Sequence, residues 1–223
     1  MVIAGPTQHE RLSEEYAAEQ LADGAVVLRG AAESITTELL QEISRIVSQS
    51  PLRTVMTPMG KPMSVEMTNC GAVGWVSDSR GYRYEHLDPI AGLPWPQMPV
   101  RFSSFASSLA ERAGYRRFQP DTCLINRYST GSKMGLHQDR DEEDFTQPIV
   151  SVSLGLPITF KFGGIKRTAP TVSVRLQHGD VVVFGGLARL AFHGVGTLRN
   201  GHHAVTGSAR WNLTFRSARQ PIK

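Results

Sequence analysis

Cysteine is nearly absent from this chain: two in 223 residues, Cys70 and Cys123, far apart and in no Cys-x-x-Cys pair. That excludes a zinc site built on clustered thiolates. Their surroundings, "MTNCGAVGW" and "DTCLINRY", read as folded segments, which makes both buried free thiols. No apolar run approaches the roughly 18 residues that a membrane helix needs. The N-terminus, "MVIAGPTQHERLSEEY", has neither the charged start nor the apolar core of a secretory leader. The expectation is therefore a cytoplasmic protein with no membrane partner. An internal repeat, a low-complexity tract and a strong charge of one sign are also missing. The net charge of +4 permits an anionic partner without demanding one. With 40% hydrophobic and 20% charged residues the chain is globular, and long enough for one well-cored domain.

Residues 1 to about 20 carry no apolar period and read as a loose N-terminal arm. "GAVVLRG" (Gly24–Gly30) reads as a short strand. The stretch after it places Ile35, Leu39, Ile43, Ile46 and Val47 on one helical face and stops before Pro51. A second amphipathic helix is expected over Val100–Ala113, with Phe102, Phe105 and Leu109 inward and Gly114 as its stop. Between the helices lies a Gly-, Pro- and aromatic-rich segment without sustained period, read as a hairpin-rich flap. From Asp121 onward, "TCLINRYS", "IVSVSLGL", "ITFKFGG", "TVSVRLQ", "DVVVFGG" and "ARWNLTFRS" are short strand candidates divided by turn residues. Such spacing indicates an antiparallel barrel or a double-sheet sandwich. The fold class is α+β, mainly β: helices first, then a β core.

"GLHQDRDE" (Gly135–Glu142) stands at the threshold of an apolar strand and carries His137 and Asp139 two residues apart. On extended backbone such residues share a face, with Cα atoms about 6.5 Å apart, so both can reach one ion. His193, in "LAFHGVG", is the best third ligand. Two imidazoles and a carboxylate form the facial set of non-haem Fe(II) oxygenases, which leaves positions open for oxygen and a co-substrate. His-x-Asp alone does not decide the matter, because His178-Gly179-Asp180 repeats it and reads as a strand-entry turn. His9, His86, His202 and His203 lie in polar segments and are expected to be exposed.

The last strand, "SARWNLTFRSA", puts Arg210, Asn212, Thr214 and Arg216 on one face, alternating with Trp211, Leu213 and Phe215. Turned inward, such a row is costly without anionic partners; turned outward, it is an exposed edge. The two arginines are about 20 Å apart on an ideal strand. In "LINRYS", Asn126 and Tyr128 share a face and add an amide and a phenol. A metal triad, inward arginines and these hydrogen bonders together point to 2-oxoglutarate, whose two carboxylates would account for both arginines.

The combination resembles the AlkB-type Fe(II)/2-oxoglutarate-dependent dioxygenases that repair alkylated nucleic acid. The matching stretches are "NRYSTGSKMGLHQDRDE", "IVSVSLGLPITFKFGG", "HGDVVVFGG", "FHG", "RWNLTFR" and, in the flap, "SVEMTNCGAVGW", "GYRY" and "LPWPQMP". The resemblance runs from about Ala25 onward. It implies a double-stranded β-helix (jelly roll) core over about 121–218, with N-terminal helices and a nucleotide-recognition lid within about 52–95. All of this forms one dioxygenase domain, 21–223, behind the arm.

By the same resemblance, His137, Asp139 and His193 hold Fe(II), Arg210 holds the distal carboxylate of 2-oxoglutarate and Arg216 lies at the metal end. Asn126, Tyr128 and Asn212 complete that pocket. Trp75 stacks on a flipped base opposite His137, and Tyr82, Arg83 and Tyr84 hold the lesion and its phosphates. Thr57 and Met63 line the lid, Arg167 orients the base, and Asp141 favours cationic bases such as 1-methyladenine and 3-methylcytosine. Plain lid packing for Trp75 and Tyr82, and a surface arginine at Arg167, are the structural alternatives. The implied activity is oxidative dealkylation with O2, releasing formaldehyde, succinate and CO2. The implied partner is alkylated DNA, preferably single-stranded, and also RNA, acted on by a monomer associated with the nucleoid through DNA. Within the acidic run, alternation turns Arg140 outward and Asp141 inward, and Glu142 and Glu143 read as solvated. The rival readings are the same chemistry on a small molecule or protein side chain, and a non-catalytic nucleic-acid-binding domain.

Overall fold

A computed structural model describes residues 17–219. His9 and most of the expected arm lie outside that range. Ala18–Ala22 forms the first strand, β1, paired with β2 (Ala25–Leu28), so the regular structure begins inside the segment expected to be loose. Helix α1 (Thr36–Gln49) follows a short 3-10 turn that absorbs Ile35. Its buried stripe is Thr36, Leu39, Ile43 and Ile46, and it ends before Pro51 with Ser50 N–H still bonded to the Ile46 carbonyl. Strands β3 (Arg53–Met56), β4 (Pro62–Gly71), β5 (Gly74–Asp78) and β6 (Gly81–Glu85) come next, then helix α2 (Val100–Arg112).

Eight further strands complete the chain: β7 (Thr122–Tyr128), β8 (Met134–His137), β9 (Ile149–Gly155), β10 (Ile158–Phe162), β11 (Val172–Leu176), β12 (Val181–Phe184), β13 (His193–Val195) and β14 (Arg210–Arg216). They fall into two facing antiparallel sheets. The large sheet runs β1-β2-β12-β9-β14-β7-β4-β3 and the small one β11-β10-β13-β8. Sequential strands cross between the sheets, giving a jelly-roll core. Strand β4, expected within the flap, pairs along β7 from Glu66 to Gly71 and so widens the large sheet. The hairpin β5–β6 stands apart as a two-stranded unit.

Alternation on the large sheet feeds two cores. Leu213, Phe215, Cys123 and Ile125 point to the outer face, where α1 and α2 cover them; Phe102 meets Phe215 edge to face at 5.7 Å. Both cysteines are buried and unpaired there. The opposite face looks into the space between the sheets, where Leu124, Tyr128, Ile149, Phe160, Phe162 and Phe184 pack. Apolar side chains fill one end of that space. Polar ones from β7 and β14 line the rest.

Candidate active site

Between the sheets lies a cavity of about 680 Å³. His137 ends β8 and His193 begins β13, and the two are cross-strand partners. The strands approach so closely at Gly194 that a Cβ there would sit 2.7 Å from the Met134 carbonyl and 2.8 Å from that of Gly135. Asp139 lies just beyond the end of β8, and its carboxylate oxygens are 3.6 Å from His137 Nε2 and 3.8 Å from His193 Nε2. All three ligand atoms lie within 4.8 Å of one another.

The tautomers are fixed from behind. His137 Nδ1 is 2.9 Å from the Gly135 carbonyl and His193 Nδ1 is 3.0 Å from that of Ala191. A carbonyl only accepts, so Nδ1 carries the proton and Nε2 presents its lone pair to the centre. Burial, then the neighbouring His137 ring, pushes His193 down to about 4, which keeps it neutral and ready to ligate. Burial alone would raise the Asp139 carboxyl, but Arg216 and the two imidazoles hold it below the usual carboxylate range. This donor set, two neutral imidazoles and an ionised carboxylate with no thiolate, fits Fe(II).

On β14 the polar row faces inward, as the alternation predicts. Arg216 donates to Asp139 Oδ2 at 2.7 and 3.0 Å and lies 3.3 Å from Glu142. Its charge therefore has anions within the chain, whereas Arg210 has none among the described residues. Arg210 is 2% exposed and donates to Ser153 Oγ at 2.8 Å. Its Nε and Nη1 have no partner among the described residues. Tyr128 faces the guanidinium at 4.9 Å through its ring, and burial pushes that phenol up, so it supplies no anion. Asn126 Oδ1 and Arg216 Nη1 are likewise unpartnered, while Asn212 is held by Ser151, Val152 and Thr214. A buried cation with free donors beside a metal triad fits a dicarboxylate such as 2-oxoglutarate.

The other wall comes from the β3–β6 region. The Trp75 and Tyr82 rings stack with centroids 5.4 Å apart and planes at 16°. Trp75 Nε1 donates to Asp141 Oδ2 at 2.9 Å. Gly74 leaves room for Trp95, whose ring would lie 2.3 Å from a Cβ at that position. Thr57, Met63, Trp75, Tyr82, Asp141 and Arg167 all line the same cavity as the triad, and so do Asn126, Tyr128, Arg210, Asn212 and Arg216. Arg167 Nη1 donates to the Leu136 carbonyl at 2.8 Å, next to the ligand strand.

Two residues expected to hold the substrate do not line this cavity. Arg83 is on the opposite face of its hairpin from Tyr82 and is spent on Asp78 and Glu85. Tyr84 donates its hydroxyl to Glu142 at 2.7 Å. Glu142 itself is a correction: it is 6% exposed, not solvated, and binds Arg189 and Arg216. Strand β8 ends at His137, so alternation lapses beyond it; Asp139 and Glu142 turn inward while Asp141 stays exposed on the rim. Arg189, buried and donating to the carbonyls of Asp139 and Gln147, was not expected at all. His178-Gly179-Asp180 is a strand-entry turn: Gly179 has φ +82° and Asp180 accepts from Gly30 N–H and Arg29.

The family model of the 2OG-Fe(II) oxygenase superfamily matches residues 24–216. The alpha-ketoglutarate-dependent dioxygenase AlkB of Salmonella typhimurium is 53% identical over 90% of this chain and 93% of its own length. The chain belongs to the AlkB family. It is an Fe(II)/2-oxoglutarate-dependent dioxygenase, with O2 as second co-substrate. A more distant AlkB-family relative, the tRNA demethylase abh1 of Schizosaccharomyces pombe, is 28% identical over 68% of this chain and 52% of its own. Among solved structures, OsALKBH1 superposes with a TM-score of 0.79 at 27% identity, over 90% of this chain and all of that one. His137, Asp139 and His193 fit the family's iron site, and among the described residues no other such cluster could hold a metal.

Proposed function

We propose that the protein repairs N-alkylated bases of the 1-methyladenine and 3-methylcytosine type by oxidative dealkylation, in DNA and also in RNA. The observation that carries this is the rim: a stacked Trp75–Tyr82 pair and the exposed carboxylate of Asp141 on the same cavity as the triad. Aromatic faces accept any base, and a carboxylate favours the methylated bases because they are cationic. The AlkB-type resemblance supports DNA, and the relative named as a tRNA demethylase supports nucleic acid more broadly.

Fe(II), bound by His137, Asp139 and His193, supplies O2 activation coupled to 2-oxoglutarate decarboxylation, which oxidises the N-alkyl carbon. Arg210 holds the distal carboxylate of the co-substrate, with Asn126, Tyr128 and Asn212 around it, and Arg216 keeps Asp139 ionised and aimed. Trp75 stacks on the base, Asp141 accepts its exocyclic amine, Arg167 orients it, and Tyr82 closes the stack. Thr57 and Met63 line the lid formed by the β3–β6 region. Arg140, Lys133 and Arg167, all exposed around the mouth, attract phosphates, so binding weakens as salt rises. Extracting a base from a duplex costs a few kcal/mol, so single strands are preferred. The products are the unmodified base, formaldehyde, succinate and CO2. This reading describes one dioxygenase domain acting as a monomer in the cytoplasm, on the nucleoid's DNA.

The test measures formaldehyde and succinate from single- and double-stranded methylated DNA, methylated RNA, the free nucleoside and a peptide. Matched release of both products from methylated single-stranded DNA is expected. Formaldehyde from no oligonucleotide, with turnover of the nucleoside or peptide, overturns the reading.

A further inference from the structure

Tyr84 is off the cavity, yet it sits directly opposite Trp75 in the β5–β6 register. Its hydroxyl is bonded to a buried carboxylate, Glu142, that also takes Arg189 Nη2 at 3.0 Å. Arg216 bridges that carboxylate to the metal ligand: its Nε is 3.3 Å from Glu142, and it donates to Asp139 at 2.7 Å. Arg189 holds the Asp139 backbone carbonyl at 2.7 Å. The hairpin that carries Trp75 is thus joined to the triad through Glu142 by a path along the buried wall of the cavity.

The other ties of the hairpin lead elsewhere. Asn69 bonds both the N–H and the carbonyl of Trp75 at 3.0 Å, fixing it to β4, and Trp95 donates to the Glu85 carbonyl at 2.9 Å. The Trp75–Asp141 bond lies on the exposed rim, where a bound base's amine competes for the same carboxylate. Once it does, the Tyr84 hydroxyl still ties the hairpin to the loop that carries Asp139, through a buried carboxylate. A buried tyrosine–carboxylate–guanidinium set contributes little net stability compared with apolar packing of equal volume; where such a set has a role, it is to fix geometry.

We propose that Tyr84 and Glu142 are positioning residues: their hydrogen bond sets the height of Trp75 above the triad, so that the base and the metal ligand are referenced to the same buried carboxylate. This rests on the reading that Trp75 carries the base.

Tyr84→Phe removes the hydroxyl and nothing else. In the full-length enzyme with Fe(II), 2-oxoglutarate and single-stranded 3-methylcytosine oligonucleotide, KM for the oligonucleotide rises about tenfold. Formaldehyde released per succinate falls to below about half, because co-substrate is consumed over a misplaced base. Anaerobic binding of the oligonucleotide, followed by anisotropy, weakens by the same factor. KM for 2-oxoglutarate and the visible charge-transfer band of the Fe(II)–2-oxoglutarate complex stay at wild-type values. Wild-type oligonucleotide KM and coupling in the variant overturn the proposal. So does a variant that melts lower and loses 2-oxoglutarate binding in proportion, since Tyr84 is then merely structural. A wild-type enzyme that demethylates no oligonucleotide sinks the base reading itself, a failure visible before any variant is made.

Discussion

Arg210 and Arg216 occupy opposite ends of one strand, on one face, and both are buried, yet their surroundings are opposites. Arg216 is compensated by Asp139 and Glu142, and these anions and Tyr84 raise it although burial alone would lower it. Arg210 has no anionic partner among the described residues, two idle donors and a pKa lowered by burial. A buried cation that the chain itself neutralises is scaffold. One that it leaves bare is a socket for an anion the chain does not contain. The metal triad lies beside the first, so on the proposed reading the strand orders the site, with Arg216 as scaffold near the iron and Arg210 as socket for the far end of the co-substrate.

Removing the scaffold's anion should have the largest effect. Asp139→Ala takes away a metal ligand and the nearer partner of Arg216, so turnover falls to background and the charge-transfer band vanishes. Glu142 still compensates Arg216, so the chain folds, and a native far-ultraviolet spectrum checks that. Next is Arg216→Met, which leaves the buried Asp139 carboxylate without its cation while Glu142 keeps Arg189 and Tyr84; it costs about 3–5 kcal/mol of stability, read as a lower urea midpoint, and an unchanged midpoint breaks the comparison. Trp75→Ala belongs with the socket residues. Oligonucleotide KM rises about ten- to a hundredfold, in line with a stacking loss of about 1–3 kcal/mol, while the 2-oxoglutarate KM holds.

The smallest effect concerns His178, a half-buried ring that faces the His203 ring at 4.4 Å and has Glu33 nearby. Burial and then His203 lower its pKa, and its Nδ1 accepts the Gly155 N–H. As pH falls through about 6.5 the unfolded imidazole takes up a proton that the folded ring resists, so stability is lost on acidification. His203→Gln should shrink the drop in melting temperature between about pH 7.5 and pH 5.5; an unchanged drop counts against this assignment.

Chemistry was more legible in the sequence than local structure. Strands β7, β9, β10, β12 and β14 declare themselves by apolar runs or alternation, and both helices by their stripes. Strands β8 and β13, which carry the histidine ligands, are three or four residues long and have no apolar pattern. His137 and His193 were found through their donor chemistry instead. Glu142 was misread because an acidic run looks solvated and alternation was carried past the end of β8. The motif around Tyr84 gives no direction, and only the structure shows it paired with Trp75 and bonded to Glu142. Arg189 had a faint signal, an arginine flanked by apolar residues in "LARLAF".

The central claim, that Arg210 is a socket and not scaffold, is tested by melting the wild type and Arg210→Met with anaerobic Fe(II), each with and without 2-oxoglutarate. A bare buried charge adds no stability of its own, so the variant should melt at or above the wild-type temperature when 2-oxoglutarate is absent. Saturating 2-oxoglutarate should then raise the melting temperature of the wild type and leave that of the variant unmoved. A variant that melts well below the wild type and keeps the full 2-oxoglutarate shift would contradict the account.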